Sequence, residues 1–219
     1  MATSPVYYDY NVLVAEIQTF AQRNDQKFID QIPVFIANAE NRLALMIKNL
    51  GQLQVVTQDP ATQIFSLPQR WHVTTSINIT NTETGETSFL LERTLEFAKM
   101  YQSELSDLMK IYLPQFYANY DFDHIILTPW LPDLASNWKI EMLYYQRPLP
   151  LSESNTQNWW TSYAPQALLY ACLREVYAWN RQTDKIIQYE QLLQAEVSNI
   201  NREDQSRIAD RSYSTGSIQ

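Results

Sequence analysis

Few residues in this chain are of a type and spacing to do chemistry. Asp121 and Asp123 in YDFDHI alternate at strand spacing, which would put both carboxylates on one face, as a glycan hydrolase or a divalent-cation site requires. Their neighbours Tyr117, Tyr120 and Phe122 read instead as an ordinary strand with a solvated acidic edge. His72 and His124 are the only histidines, each alone in an expected strand, and the single cysteine, Cys172, lies among apolar helix residues. Zinc would need clustered His and Cys ligands, which the sequence lacks, and no nucleophile elbow marks a serine hydrolase. Gly51, Gly85 and Gly216 are too far apart to form a phosphate-binding loop. The expectation is a protein with no catalytic residues, no metal and no cofactor. Glu40 with Arg42, and Glu190 with Glu196, read as solvated helix faces.

Charge and composition narrow the partners. The net charge is -8 and the sequence pI about 4.8, so the chain does not hold DNA by neutralising phosphates, which takes clustered Lys and Arg. A lone cysteine excludes an intrachain disulfide and fits a reducing compartment. The start MATSPVYYDY has no signal-peptide pattern, and the longest apolar stretch, ALLYACL, falls far short of the ~20 residues of a membrane span. A soluble protein made in a cytoplasm is expected. Six tryptophans and fourteen tyrosines are many for 219 residues. They suit a core rich in aromatics, interface anchors, or the stacking platforms of a carbohydrate-binding or receptor-recognition module, for which Trp71, Trp130 and Trp159 are the candidates.

The elements that must carry these residues follow from periodicity. Asn11 is expected to cap a helix holding Leu13, Ile17 and Phe20; a second, starting near Phe28 or Pro33 and ending by Asn49, puts Phe35, Ile36, Ala39, Leu43 and Ile47 inward, with Gly51 as its C-terminal cap. From Leu53 the period changes to two. Trp71, Val73, Thr75, Ile77 and Ile79 alternate with polar residues, NTETGET turns the chain at Gly85, and TSFLLER returns. Thr94 caps a short helix, which Leu105–Tyr112 is expected to continue, and QFYANYDF, DHIILTP and NWKIEMLYYQRP read as further strands. After Pro148 and Pro150 the helical period returns. Pro165 opens a helix with Leu168, Ala171, Cys172, Val176 and Trp179 on one face. A second helix, capped by Thr183, carries Ile186, Glu190, Leu193, Val197 and Ile200. The order helices, strands, helices gives an α+β protein: a helical bundle from an N-terminal hairpin (1–50) and two long C-terminal helices (153–208), an inserted antiparallel β subdomain with a short helix near 94–112 (51–152), and a tail (209–219).

The run PLPLSESNTQNWW followed by APQALLYACL, with YANYDFDHIILTP and RTLEFAKMYQ upstream and IPVFIANAENRL near the start, resembles the head-to-tail adaptor (connector) proteins of tailed bacteriophages. The resemblance covers most of the chain. It implies a structural virion protein of the neck: a ring of twelve copies docked under the portal, offering its other side to a tail or nozzle protein, with DNA passing through the channel unbound. It also implies that the C-terminal extension reaches the portal, which assigns Arg202, Arg207, Arg211, Tyr213 and Ile218 to that contact. The β subdomain then faces the tail, and Trp71, Trp130, Trp159 and Trp160 serve the ring or tail interface. Read as residues alone, Arg202, Arg207 and Arg211 among Glu203, Asp204 and Asp210 are either intrahelical ion pairs of little worth or a charged docking strip.

Overall fold

The computed structural model describes residues 8–59, 62–104, 113–130 and 137–214. The expected continuation at Leu105–Tyr112 and the position Ile218 lie outside the described residues. The chain is mixed α+β: N-terminal helices, a seven-stranded sheet, and long C-terminal helices that pack together. It divides into two compact units, one of Met1–Gln52 with Arg147–Gln219, the other of Leu53–Gln146.

In the helical unit, α1 (Tyr10–Ala21), a short α2 (Gln26–Ile29) and α3 (Ile32–Met46) come first. Asp9, not Asn11, caps α1: its carboxylate accepts the Val12 N–H at 2.9 Å, and the helix starts one residue before the asparagine. Of the two expected starts of the second helix the structure takes Pro33, which lies in the first turn of α3, while Phe28 falls in the separate α2 capped by Asp25; α3 ends at Met46, short of Asn49. Gly51 does not cap α3, which ends in extended backbone at Ile47; Gly51 belongs to a 3-10 turn, Leu50–Gln52.

At the other end of the chain, α5 (Trp159–Tyr163), α6 (Pro165–Trp179) and α7 (Thr183–Ser214) follow in close order. The run WWTSY is a helix in its own right, opened by Asn158 in a reciprocal capping box with Thr161. Helix α6 is the hub: α1, α3, α5 and α7 all pack on it. Its burial is broader than the single face expected, with Leu169, Leu173 and Tyr177 enclosed as well as Leu168, Ala171, Cys172 and Val176. It ends in a Schellman arrangement, Gln182 N–H to Tyr177 O and Arg181 N–H to Ala178 O, with Arg181 in the left-handed region at φ 58° where glycine is usual. Helix α7 then starts at Thr183 and turns Tyr189, Leu193 and Val197 into the core.

The sheet unit holds β1 (Leu53–Gln58), β2 (Ile64–Ser66), β3 (Trp71–Asn81), β4 (Thr87–Glu92), α4 (Leu95–Glu104), β5 (Phe116–Asn119), β6 (His124–Thr128) and β7 (Trp138–Gln146). The sheet order is β1-β7-β3-β4-β5-β6-β2. Gly85 takes the positive φ, 74°, that the β3–β4 turn needs. All pairs are antiparallel except β4 with β5, which run parallel; the α4 segment between them is long enough for a crossover, which a tight turn is not. Every strand contributes to one apolar core built on Ile77, Ile79, Ile125, Leu127, Ile140 and Met142, with Val56 of β1 and Phe65 of β2 against it, so the sheet curls around that core. Thr94 Oγ1 accepts the Phe97 N–H and opens α4, as the sequence indicates.

Candidate interaction surfaces

The acidic pair does not form a paired-acid site. Strand β5 ends at Asn119, so Asp121 and Asp123 occupy the turn into β6 rather than one face of a strand. Asp121 accepts the Asp123 N–H at 2.8 Å and lies 2.8 Å from His124 Nδ1; these contacts hold its carboxyl below the usual carboxylate range. The turn is thereby fixed, and Phe122 at its tip is 87% exposed, the most exposed large hydrophobic side chain among the described residues. Cys172 is fully buried, and desolvation pushes its thiol up, which makes it a packing residue and a poor nucleophile. Among the described residues, no three His, Cys, Asp or Glu side chains group as metal ligands, and no helix is long and apolar enough to cross a membrane.

Glu40 overturns its expected place on a solvated face. Its side chain is buried and accepts the Leu151 N–H at 3.1 Å and the Asn158 Nδ2 amide at 2.6 Å. Burial raises its carboxyl above the ordinary range, and these two hydrogen bonds offset part of the rise. Because the Asn158 amide donates to Glu40, its carbonyl oxygen is turned to accept the Trp160 and Thr161 N–H groups that open α5. A glutamate on α3 therefore sets where Trp159 and Trp160 stand. Glu190 is likewise no isolated surface charge: Arg174 contacts it at 2.7 Å and Glu175 at 2.6 Å, while Arg42 stands 3.5 Å from Glu190 and 3.6 Å from Glu175, tying α3, α6 and α7 together. Glu196 is half-buried.

The tryptophans expected at interfaces are not freely exposed. Trp160 is 1% exposed and belongs to the helical core, so it has no area to offer a partner. Trp71 and Trp130 are partly buried against the sheet core, and Trp159 against the helical core. The most exposed aromatic rings lie elsewhere, on Phe89 (67%), Phe122 and Tyr163 (70%), with Leu45 (69%) the most exposed aliphatic side chain among the described residues. The sequence reading placed Phe122 in a strand; it stands instead in the turn between β5 and β6, which leaves its ring outside both strands.

Trp159 and Tyr163 form the wall of a pocket of ≈ 200 Å³, closed by Gly51, Ile200, Glu203 and Arg207 with Asn49 beside them. The two rings stack with centroids 5.7 Å apart. A Cβ at Gly51 would collide with the Trp159 indole, so this glycine is what lets the ring lie against the 3-10 turn. Two further bonds hold that turn: Asn49 Oδ1 accepts the Gly51 N–H at 2.9 Å, and the buried Asp204 of α7 accepts the Leu50 N–H at 3.1 Å. At the rim, Arg207 pairs with Glu203 one turn away, both side chains more than 60% exposed. Arg202 is exposed and donates to Asn199. Arg211 and Tyr213 lie on α7, which runs on to Ser214.

Residues 8–217 match the family model described as SU10 adaptor protein. The chain belongs to the SU10 adaptor protein family. No curated protein matches it. As a member of a phage adaptor family, it is a structural protein whose partners are virion components, and the adaptor family's model spans both units.

Proposed function

We propose that this adaptor forms a ring of twelve copies under the portal vertex and joins the capsid to the tail. The observation that carries this reading is the match to the adaptor family over nearly the whole chain. The physical character of the molecule supports it. Exposed Phe89, Phe122 and Tyr163 provide distinct apolar patches, which a head-to-tail interface around a ring needs. A net charge of -8 on each copy gives the channel a negative potential, past which DNA slides without adhering.

In this reading the C-terminal part of α7 makes the portal contact, with Arg202, Arg211 and Tyr213 on the helix and Ile218 beyond it; Arg207, assigned to the same contact by the resemblance, lines the pocket beside Trp159 and is left for a neighbouring copy. The sheet unit faces a tail or nozzle protein. Trp71, Trp130 and Trp159 contribute through whatever edge they leave uncovered. The test is co-sedimentation with purified portal followed by electron microscopy. The expected result is a twelvefold ring on the portal, lost when residues 208–219 are deleted while circular dichroism stays unchanged. That deletion spares Asp204, whose bond to Leu50 belongs to the fold. An intact chain that leaves portal particles bare would overturn the proposal.

A further inference from the structure

The helical unit carries a preformed socket and the sheet unit a preformed knob, and their chemistries match. The socket has an aromatic wall, Trp159 stacked on Tyr163, and an aliphatic side in Ile200. Its shape is set before any partner arrives: Gly51 admits the Trp159 ring, and Asp204 holds the turn beneath it. A pocket fixed in this way loses little freedom on binding. At ≈ 200 Å³ it has room for a single large side chain.

The knob is Phe122, its ring almost wholly in water, between Asp121 and Asp123 on a turn that Asp121 itself braces. A phenylalanine left this exposed on a fixed turn gains a large apolar burial once a pocket covers it. The flanking carboxylates require a cation at the pocket's rim. Arg207 supplies one: its ion pair with Glu203 is solvent-exposed and of little worth, and the guanidinium has donors to spare for a second carboxylate. A second pocket among the described residues, lined by Asn38, Arg42, Leu45, Met46 and Glu175, is wider at ≈ 390 Å³ and has no aromatic wall, so it encloses a single phenyl ring less closely. Its arginine is held between Glu175 and Glu190, which Arg174 also bridges, a network less exposed than the Arg207–Glu203 pair and with less freedom to turn to a new carboxylate.

We propose that Phe122 of one copy inserts into the Trp159–Tyr163 pocket of a second copy, with Asp121 and Asp123 drawn to Arg207, as the head-to-tail contact of the assembly. Knob and socket are different surfaces, so each copy offers both and the contact propagates from copy to copy until rotation closes it. This inference rests on the ring reading of the adaptor and gives that ring its contact residues.

The test is cross-linking, with a short bis-maleimide, of a chain carrying Tyr120→Cys beside the knob and Glu203→Cys at the pocket rim, which leaves Phe122, Trp159, Tyr163 and Arg207 in place; both positions are exposed, and Cys172, fully buried, stays out of the reaction. Contact between copies gives a ladder of dimer, trimer and higher species on a denaturing gel, while either single variant gives none. A product confined to the monomer band, or no product, overturns the proposal. In parallel, Phe122→Ala should weaken self-association about 30-fold or more, the loss typical of a buried aromatic anchor, with an unchanged circular dichroism spectrum. Self-association equal to that of the intact chain, or an intact chain still monomeric at ~100 μM by sedimentation velocity, would also sink it. A ladder together with failure to bind portal would remove the portal reading and leave this contact standing. Portal binding without a ladder would do the reverse.

Discussion

The two units solve the same problem, fixing segments distant in sequence, by different means. In the sheet unit the backbone does it: paired registers run along every strand, the core is apolar, and Thr128 is the only fully buried polar side chain among that unit's described residues. In the helical unit no backbone ladder joins one helix to the next, and buried polar side chains take its place. Glu40 holds the 151–158 segment, Thr161 closes the capping box, and Asp204 ties α7 to the turn at Leu50. The lesson is that a helical layer needs directional side-chain bonds wherever irregular chain must dock, and these are the bonds that shape the pocket.

If that contrast is right, the largest single effects should come from the apolar interiors of both units and be insensitive to pH. Trp160→Ala in the helical unit and Ile77→Ala in the sheet should each cost about 2–5 kcal/mol by urea unfolding, with the same value at pH 5 and pH 8. Glu40→Ala should cost somewhat less, about 1–3 kcal/mol, because it leaves the Leu151 N–H and the Asn158 amide without their acceptor. Equal tolerance of Glu40→Ala and of an exposed substitution would break the comparison.

Glu40 also gives the helical unit a pH signature that the sheet interior lacks. Its folded-state pKa is raised, so folding takes up a proton between the ordinary carboxylate value and the raised one. Its contribution is therefore most favourable below the ordinary value and is lost as pH rises through the folded one. Glu40→Gln should accordingly compare better with the intact chain at pH 8 than at pH 4.5, measured as the difference in urea midpoints. A pH-independent difference would show that the carboxyl does not titrate differently on folding.

Smaller effects sharpen the picture at the helix ends and the rim. Arg181→Gly should stabilise by about 0.5–1 kcal/mol, since glycine takes the left-handed C-terminal position without a Cβ clash. Arg207→Ala should change stability by less than about 0.5 kcal/mol, because its partner Glu203 is as exposed as it is. Thermal melts of the two variants check both signs.

What could be read in advance divides along the same line. The turn at Gly85 and the start of α6 at Pro165 are local signals, and each appears in the structure where the sequence puts it; the alternation expected over β3 holds at Ile77 and Ile79 but is broken by register shifts at 71–73 and 74–76, which leave Thr75 exposed. The burial of Glu40 is not local: its partners are 111 and 118 residues away, and nothing in IPVFIANAENRL distinguishes it from a solvated glutamate. The same holds for Trp160, whose inward orientation follows from the capping box at Asn158, and for the parallel β4–β5 pair, which depends on the route of the chain between them. For the pocket, the one available clue was composition. A chain with three glycines places one at position 51, and the reason becomes visible once the Trp159 ring is seen against it.

Helix α7 advances about 100° with each residue over 32 residues, some 48 Å of rod. Inserting one amino acid between Val197 and Asp204 would lengthen the rod by only ~1.5 Å but swing everything beyond it through more than a quarter of a circle. Leu50 would lose its clamp and the rim would face a different direction. The rod thus works like a key blank whose teeth have meaning only at a fixed phase, and chain length in this stretch is constrained more tightly than the identity of its exposed residues.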